Sequence, residues 1–228
     1  MASLKTRYPR GFDTEAADTH LSKRDRKLAR WIERIGPIAS QKQWRGRFDP
    51  VDALARAILY QQLSGKAAST IVGRVEAAIG SPRLHCDTLG LVDDVALRAC
   101  GVSGNKTLAL RDLARREAAG EIPTIAQLPW LDEQAIIDAL VPIRGIGRWT
   151  VEMMLMARLG RPDVLPVDDL GIRKGAQAVD RLEAMPTPAQ LAARGEKWGP
   201  YRTYASLYLW RIADQAAEAK TATPRSQE

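Results

Sequence analysis

The chain has 228 residues, 45% of them hydrophobic and 27% charged, with a formal net charge of +7 and a sequence pI near 9.6. That length can bury a full core in one domain or two small ones, and the composition is ordinary for a soluble globular protein. No run approaches the roughly 18 consecutive apolar residues of a membrane span, and the basic balance suits a polyanionic partner without specifying one.

In chain order, the opening "MASLKTRYPRGFDTEAADTH" has no apolar run after its basic residues and does not read as a signal peptide. "SKRDRKLARWIERIG" places Leu28, Trp31, Ile32 and Ile35 at helical spacing, with Ser22 as N-cap and Gly36-Pro37 as the stop. "DPVDALARAILYQQLSGKAASTIVGRVEAAIG" starts a helix with Asp49 at the cap and Pro50 at the first helical position. Leu54, Ile58 and Leu59 form its apolar face, and Leu63-Ser64-Gly65 interrupts it before a second helix that runs to Gly80. Further helical patterns cover about 88–100, 104–119, 131–141, 149–159, 169–179, 187–194 and 199–217. Sustained strand alternation is missing, so the expected fold is all-α. The tail "AKTATPRSQE" is polar and expected to be mobile.

The stretch "LVPIRGIGRWTVEMML", 140–155, carries the most information. "DEQAIIDALV" before it is an amphipathic helix, with Ala135, Ile136, Ala139 and Leu140 toward a core. "WTVEMMLMARLG" is a second helix ended by Gly160, and Pro142-Ile143-Arg144-Gly145-Ile146-Gly147 makes the turn. Glycine admits φ > 0 and leaves room for another backbone. The next helix N-terminus offers free N–H groups and partial positive charge to a phosphate. Ile143 and Ile146 would pin the turn to the core, and Arg144 and Arg148 flank it with charge.

This string resembles the hairpin of helix-hairpin-helix DNA-binding proteins. The resemblance implies that the turn amides, around Gly145 and Gly147, grip one DNA phosphate. It also implies that the carbonyls of Val141, Ile143 and Ile146 hold a monovalent cation, Na+ or K+. Downstream, "RPDVLPVDDLGIRKG" gives Pro-Val-Asp-Asp and then a helix carrying Ile172, Arg173 and Lys174. A hairpin followed by Pro-Val-Asp and a helix resembles the helix-hairpin-helix base-excision DNA glycosylases, whose catalytic aspartate starts that helix. Matching Leu170, Gly171, Ile172 and Arg173 puts Asp169 in the catalytic place, with Asp168 beside it as the alternative. A carboxylate there can stabilise positive charge developing on deoxyribose and orient or deprotonate water. Taken by itself, an Asp-Asp at a helix start is more often an N-cap.

Members that also cleave the backbone carry a lysine two places after the second hairpin glycine, where this chain has Trp149. The resemblance therefore implies a monofunctional hydrolase without lyase activity. "KWGPYRTYASLYLWRIAD" resembles the last helix of the 3-methyladenine DNA glycosylase II family and places Trp210 as a second pocket tryptophan. Indole faces suit a cationic alkylated purine. Met153 and Leu170 fall where some relatives add tyrosines, which makes this pocket less aromatic. Trp31, Trp44, Trp130 and Trp198 are assigned to packing.

In "ILYQQLSGKAAS" the resemblance implies a wedge that enters the duplex gap when a nucleotide flips out, with Leu63 as the wedge and Gln62 its neighbour. Lys66, Lys106, Arg173, Lys174 and Arg202 are candidate phosphate contacts, together with Arg144 and Arg148. The superfamily implies a two-lobed helical bundle with the active site in the interlobe cleft: residues 52–165 in one lobe, 1–51 plus 166–228 in the other. The extra N-terminal α/β domain of larger bacterial relatives has no room here. The expected partner is double-stranded DNA containing alkylated bases, bound by a monomer that is cytoplasmic or nucleoid-associated.

No cofactor is required. Cys86 and Cys100 are too few for an iron–sulfur cluster, and with His20 and His85 they show no zinc spacing; both read as reduced structural thiols. The expected activity is release of 3-methyladenine and 7-methylguanine in base-excision repair. Two alternatives stand beside it: a non-catalytic hairpin DNA-binding protein, in which Asp169 only caps a helix, and a glycosylase for a different base lesion.

Overall fold

A computed structural model describes residues 7–222, with side chains through residue 218, and among these residues the regular structure is helical throughout. The final residues of the polar tail, 223–228, lie outside the described residues, although its first four extend the last helix. The chain divides into two compact units: Arg47–Val151 with the residues ahead of Pro9, and Pro9–Gly46 with the residues from Glu152 onward. The division falls between Val151 and Glu152, earlier than the boundary at 165 read from the sequence.

Among the described residues aspartates start half of the twelve α-helices, because their carboxylates satisfy N–H groups that have no partner within the helix. Asp13 caps α1 (Thr14–Arg24) and Asp25 caps α2 (Arg26–Ile35). Ser22 is therefore inside α1 and not a cap, which corrects the sequence expectation. Asp49 caps α3 (Pro50–Tyr60), and Ser64 caps α4 (Gly65–Ile79), which ends at Gly80 in left-handed conformation. The helix expected over 88–100 is two short ones, α5 (Cys86–Leu89) and α6 (Asp94–Ala99), the latter capped by Asp93. Next come α7 (Gly104–Ala118), α8 (Glu133–Leu140), and α9 (Arg148–Met154), which continues as a π-helical turn over Leu155–Leu159. The remainder is α10 (Leu170–Asp180), α11 (Pro188–Gly195) and α12 (Arg202–Ala222).

In the Arg47–Val151 unit, α3 packs on α4 and α7, burying Leu54, Ile58, Leu59, Val72, Leu110 and Leu113. Ile136, Leu140, Ile143 and Ile146 are also buried, so the hairpin is anchored through both its isoleucines. His85 sits nearly buried between two carboxylates, 2.5 Å from Glu117 Oε1 and 2.8 Å from Asp49 Oδ2. These bonds join the starts of α3 and α5 to the end of α7.

In the other unit, α10 lies directly on α12: a Cβ added at Gly175 would fall 2.0 Å from the Leu209 carbonyl oxygen. Leu21, Leu28, Ile172, Trp198, Tyr204, Tyr208 and Ile212 fill the core around that contact. Asp25, buried, pairs with Arg194 and accepts the indole N–H of Trp198 at 2.8 Å. Trp44 and Trp198 pack in the interior as expected, whereas Trp130 is about half exposed and does not. Its short 3-10 turn, Leu128–Trp130, buries Leu128 instead.

Candidate active site

In the Arg47–Val151 unit, Gly145 takes φ of 79°, a conformation that side chains rarely adopt, and its Cα faces Ala109 so closely that a Cβ would lie 3.3 Å away. Gly147 differs: a Cβ there would meet nothing within 4 Å. Nothing inside the protein crowds Gly147, so the absent side chain leaves the outer surface of the hairpin open. Ile146 N–H donates to Ile143 O at 3.0 Å, and the N–H groups of Thr150 and Val151 return to Gly147 O as α9 begins. The Ile143 carbonyl oxygen, accepting this one hydrogen bond from Ile146, keeps a second lone pair.

The turn after α3 is strained. Gln62 has φ of 58°, left-handed backbone in a residue with a side chain. Next to it Leu63 is 39% exposed, and Tyr60 is exposed too. Lys106 Nζ donates to the carbonyls of Leu59 at 2.7 Å and Gln61 at 2.8 Å, so its ammonium is used inside the protein and not held out for a phosphate. Gln61 Nε2 donates to Gly145 O at 2.7 Å. Gln61 was not singled out from the sequence; the repeated Gln-Gln at the end of a helix was the available signal.

In the other unit, Asp169 is the N-cap of α10, its Oδ1 accepting Ile172 N–H at 2.8 Å. The same oxygen accepts the indole N–H of Trp210, on α12, at 2.9 Å. Gly171 makes this possible, because a Cβ there would fall 2.7 Å from Trp210 Cδ1. The tight passage of the indole beside α10 and the capped helix start together fix the carboxylate. Asp168, one residue earlier, is exposed, and Asp169 is the residue that caps. Leu170 opens α10 at 57% exposure, and Met153 on α9 is partly buried. Trp149, half exposed, belongs to the hairpin's unit and not to that of Asp169.

The remaining basic residues separate by partner. Arg173 Nε donates to Pro186 O at 2.8 Å, and Arg202 bonds Asp163 Oδ2 at 3.0 Å and Gly195 O at 3.3 Å, so both guanidinium groups brace the fold. Lys66, Arg144, Arg148 and Lys174 are exposed, Arg148 reaching Gln134 Oε1 at 3.4 Å and the Arg144 backbone N–H donating to Asp112 Oδ2 at 2.9 Å.

The family model for the HhH-GPD superfamily of base excision DNA repair proteins matches residues 55–200, a span that holds the turn at Gln62-Leu63, the hairpin and Asp169. The chain belongs to that superfamily. It is 34% identical over 210 residues to DNA-3-methyladenine glycosylase 1 of Schizosaccharomyces pombe, covering 92% of each chain. Among solved structures it is similar to a DNA-3-methyladenine glycosidase from Bacillus halodurans, at 35% identity and a TM-score of 0.81, covering 91% of this chain and 94% of that one. It is similar also to the S. pombe 3-methyladenine DNA glycosylase in complex with abasic DNA, at 36% identity and a TM-score of 0.72, covering 86% and 95%. Among the described residues no helix is long and apolar enough to cross a membrane.

Proposed function

We propose that this superfamily member is a monofunctional glycosylase that hydrolyses the N-glycosidic bond of alkylated purines, of the 3-methyladenine and 7-methylguanine type, in double-stranded DNA. The observation that carries the reading is the Asp169 carboxylate, held at the start of α10 by Ile172 N–H and the Trp210 indole N–H.

The chemistry follows from the substrate. Alkylation makes the purine cationic, so it leaves as a neutral base with the electron pair of its C1′–N bond. Positive charge grows on the deoxyribose, and the fixed carboxylate of Asp169 stabilises it. A water oxygen bonds to C1′, and its proton passes to Asp169 or to solvent. Trp210 supplies aromatic surface that attracts a cationic base, with Leu170 and Met153 as apolar residues of the same unit, and Trp149 offers an indole face on the hairpin's unit. Because the weakened bond supplies much of the selectivity, the pocket needs few groups that read base edges. With tryptophan where a lyase would carry its lysine, the reaction stops at the abasic site.

Leu63, with Gln62 beside it, occupies the gap left by the flipped nucleotide, offsetting a few kcal/mol of lost stacking. The hairpin at Gly145 and Gly147 takes one phosphate; Lys66, Arg144, Arg148 and Lys174 add electrostatic contacts that position without reading sequence. A monovalent cation held by the Val141, Ile143 and Ile146 carbonyls would add positive charge beside that phosphate.

The test is release of free 3-methyladenine and 7-methylguanine from methylated duplex DNA by wild type and Asp169→Asn. Asparagine still caps a helix, so folding and DNA binding persist while release is lost. Wild-type protein that binds DNA yet releases neither base would sink the alkylpurine reading.

A further inference from the structure

Helix α7 holds the turn after α3 and the hairpin at the same time. In its first turn Lys106 Nζ donates to the carbonyls of Leu59 and Gln61, at 2.7 and 2.8 Å. These carbonyls lie at the C-terminal end of α3, where helix carbonyls lack intrahelical partners. One turn on, Ala109 packs closely on Gly145, where an added Cβ would fall 3.3 Å from the alanine methyl. Further along, Asp112 Oδ2 accepts the Arg144 backbone N–H at 2.9 Å, and the same carboxylate pairs with Arg115 and Arg116. The circuit closes directly, because Gln61 Nε2 donates to Gly145 O at 2.7 Å. All of these residues belong to one unit.

Partial burial pushes the Lys106 ammonium below its ordinary range. A charge placed where desolvation opposes it, yet aimed at carbonyls, is a device for holding those carbonyls. Partial burial opposes ionisation of Asp112 as well, but the Arg144 N–H and the pairing with Arg115 and Arg116 keep its carboxyl below the usual range. The backbone they jointly hold includes the left-handed Gln62, a conformation that persists only where its surroundings over-determine it.

We propose that Lys106, with Gln61 and Asp112, is a positioning set that fixes the wedge turn against the phosphate-gripping hairpin. Capture of one phosphate then places Leu63 at the base step to be opened. The inference rests on the wedge reading of Leu63 above. It matters because inserting a side chain between stacked bases demands a set distance from the backbone contact, and a small misplacement costs rate more than it costs binding.

The experiment compares wild type with Lys106→Met, Lys106→Arg, Gln61→Leu and Leu63→Ala on duplexes carrying 7-methylguanine beside 2-aminopurine. Stopped-flow fluorescence reads nucleotide flipping and single-turnover release reads chemistry; affinity for undamaged duplex and the urea midpoint are measured alongside. Loss of the charged hydrogen bonds should slow flipping and release by about tenfold in Lys106→Met. Binding to undamaged duplex should hold, and Lys106→Arg should recover most of the rate. Gln61→Leu leaves the Lys106 contacts intact, and it should slow flipping even if Lys106→Met proves too unstable to assay. Normal flipping in Lys106→Met and Gln61→Leu, with Leu63→Ala defective, overturns the positioning role and leaves the wedge intact. Normal flipping in Leu63→Ala removes the wedge reading itself. Flipping that falls only in step with affinity and the urea midpoint reduces Lys106 to a stabilising residue and overturns the proposal.

Discussion

Trp210 on α12 donates its indole N–H to Asp169 Oδ1 at 2.9 Å, and the same oxygen caps α10 through Ile172 N–H at 2.8 Å. A residue expected to offer an aromatic face to a base is thus also a hydrogen-bond donor to the carboxylate. Trp210→Phe keeps most of the aromatic surface and deletes the donor. Release of 7-methylguanine should fall by about tenfold, the worth of one hydrogen bond to a charged group, with affinity for undamaged duplex unchanged. A wild-type rate would show that packing alone holds Asp169.

The two adjacent carboxylates should behave differently. Asp169 is fixed by two donors, whereas Asp168 is exposed and caps nothing. Asp169→Asn should abolish release, and Asp168→Asn should leave it near wild type. Single-turnover assays on methylated DNA decide this, and the reverse ranking would move the catalytic role to Asp168.

Gly147 and Gly175 make a matched pair. A Cβ at Gly147 meets nothing within 4 Å, while one at Gly175 strikes the Leu209 carbonyl at 2.0 Å. Gly147→Ala should unfold at the wild-type urea concentration yet bind duplex DNA more weakly. Gly175→Ala should lose about 1–3 kcal/mol of stability through overpacking of α10 on α12. Equal urea midpoints for the two variants would contradict this assignment.

Asp25 sets an acid limit on stability. Burial opposes its ionisation, but the Arg194 pairing, the Trp198 N–H and the Leu28 N–H outweigh it and lower the carboxyl from its ordinary 3.8 to about 2. A depressed carboxyl stabilises the fold above its ordinary value, and that contribution, about 2 kcal/mol, fades as pH falls toward the folded value. Asp25→Asn keeps a capping side chain and removes the charge. Its urea midpoint should lie below wild type at near-neutral pH and converge on it as pH approaches 2. A gap that stays constant over this range would refute the linkage.

Salt dependence should sort the basic residues. Removing Arg148, Lys66 or Lys174 singly should lower the slope of log K against log salt by about one where that side chain meets a phosphate. Arg173→Ala and Arg202→Ala should leave the slope and reduce stability, because those guanidinium groups bind Pro186 O, Gly195 O and Asp163. A slope change in Arg173→Ala would return it to the interface.

The helical character, the break at Leu63-Ser64-Gly65, the buried Ile143 and Ile146 and the start of α10 after Asp169 were legible in the sequence. Each rests on local signals: periodic apolar residues, a capping side chain, or glycine between helices. Ser22 misled because "SKRD" offers two capping residues, and Asp25 took the place by gaining Arg194 and Trp198 as buried partners from distant segments. The stretch 88–100 misled because its apolar periodicity runs on across a break, where Arg111 gathers the Leu89 and Val92 carbonyls.

By itself the sequence determined which segments become helices and where the hairpin turns, and it narrowed the head of α10 to Asp168 or Asp169, since capping, periodicity and glycine conformation act within a few residues. Only the tertiary structure decided which polar groups meet. Lys106 turned inward to the end of α3 and Arg202 onto Asp163, while Trp210 reached Asp169 past a glycine with no side chain to block it. A lysine, an arginine or an indole reads the same in sequence whether it faces solvent or a buried acceptor. The choice is made by desolvation and by geometry between residues far apart in the chain.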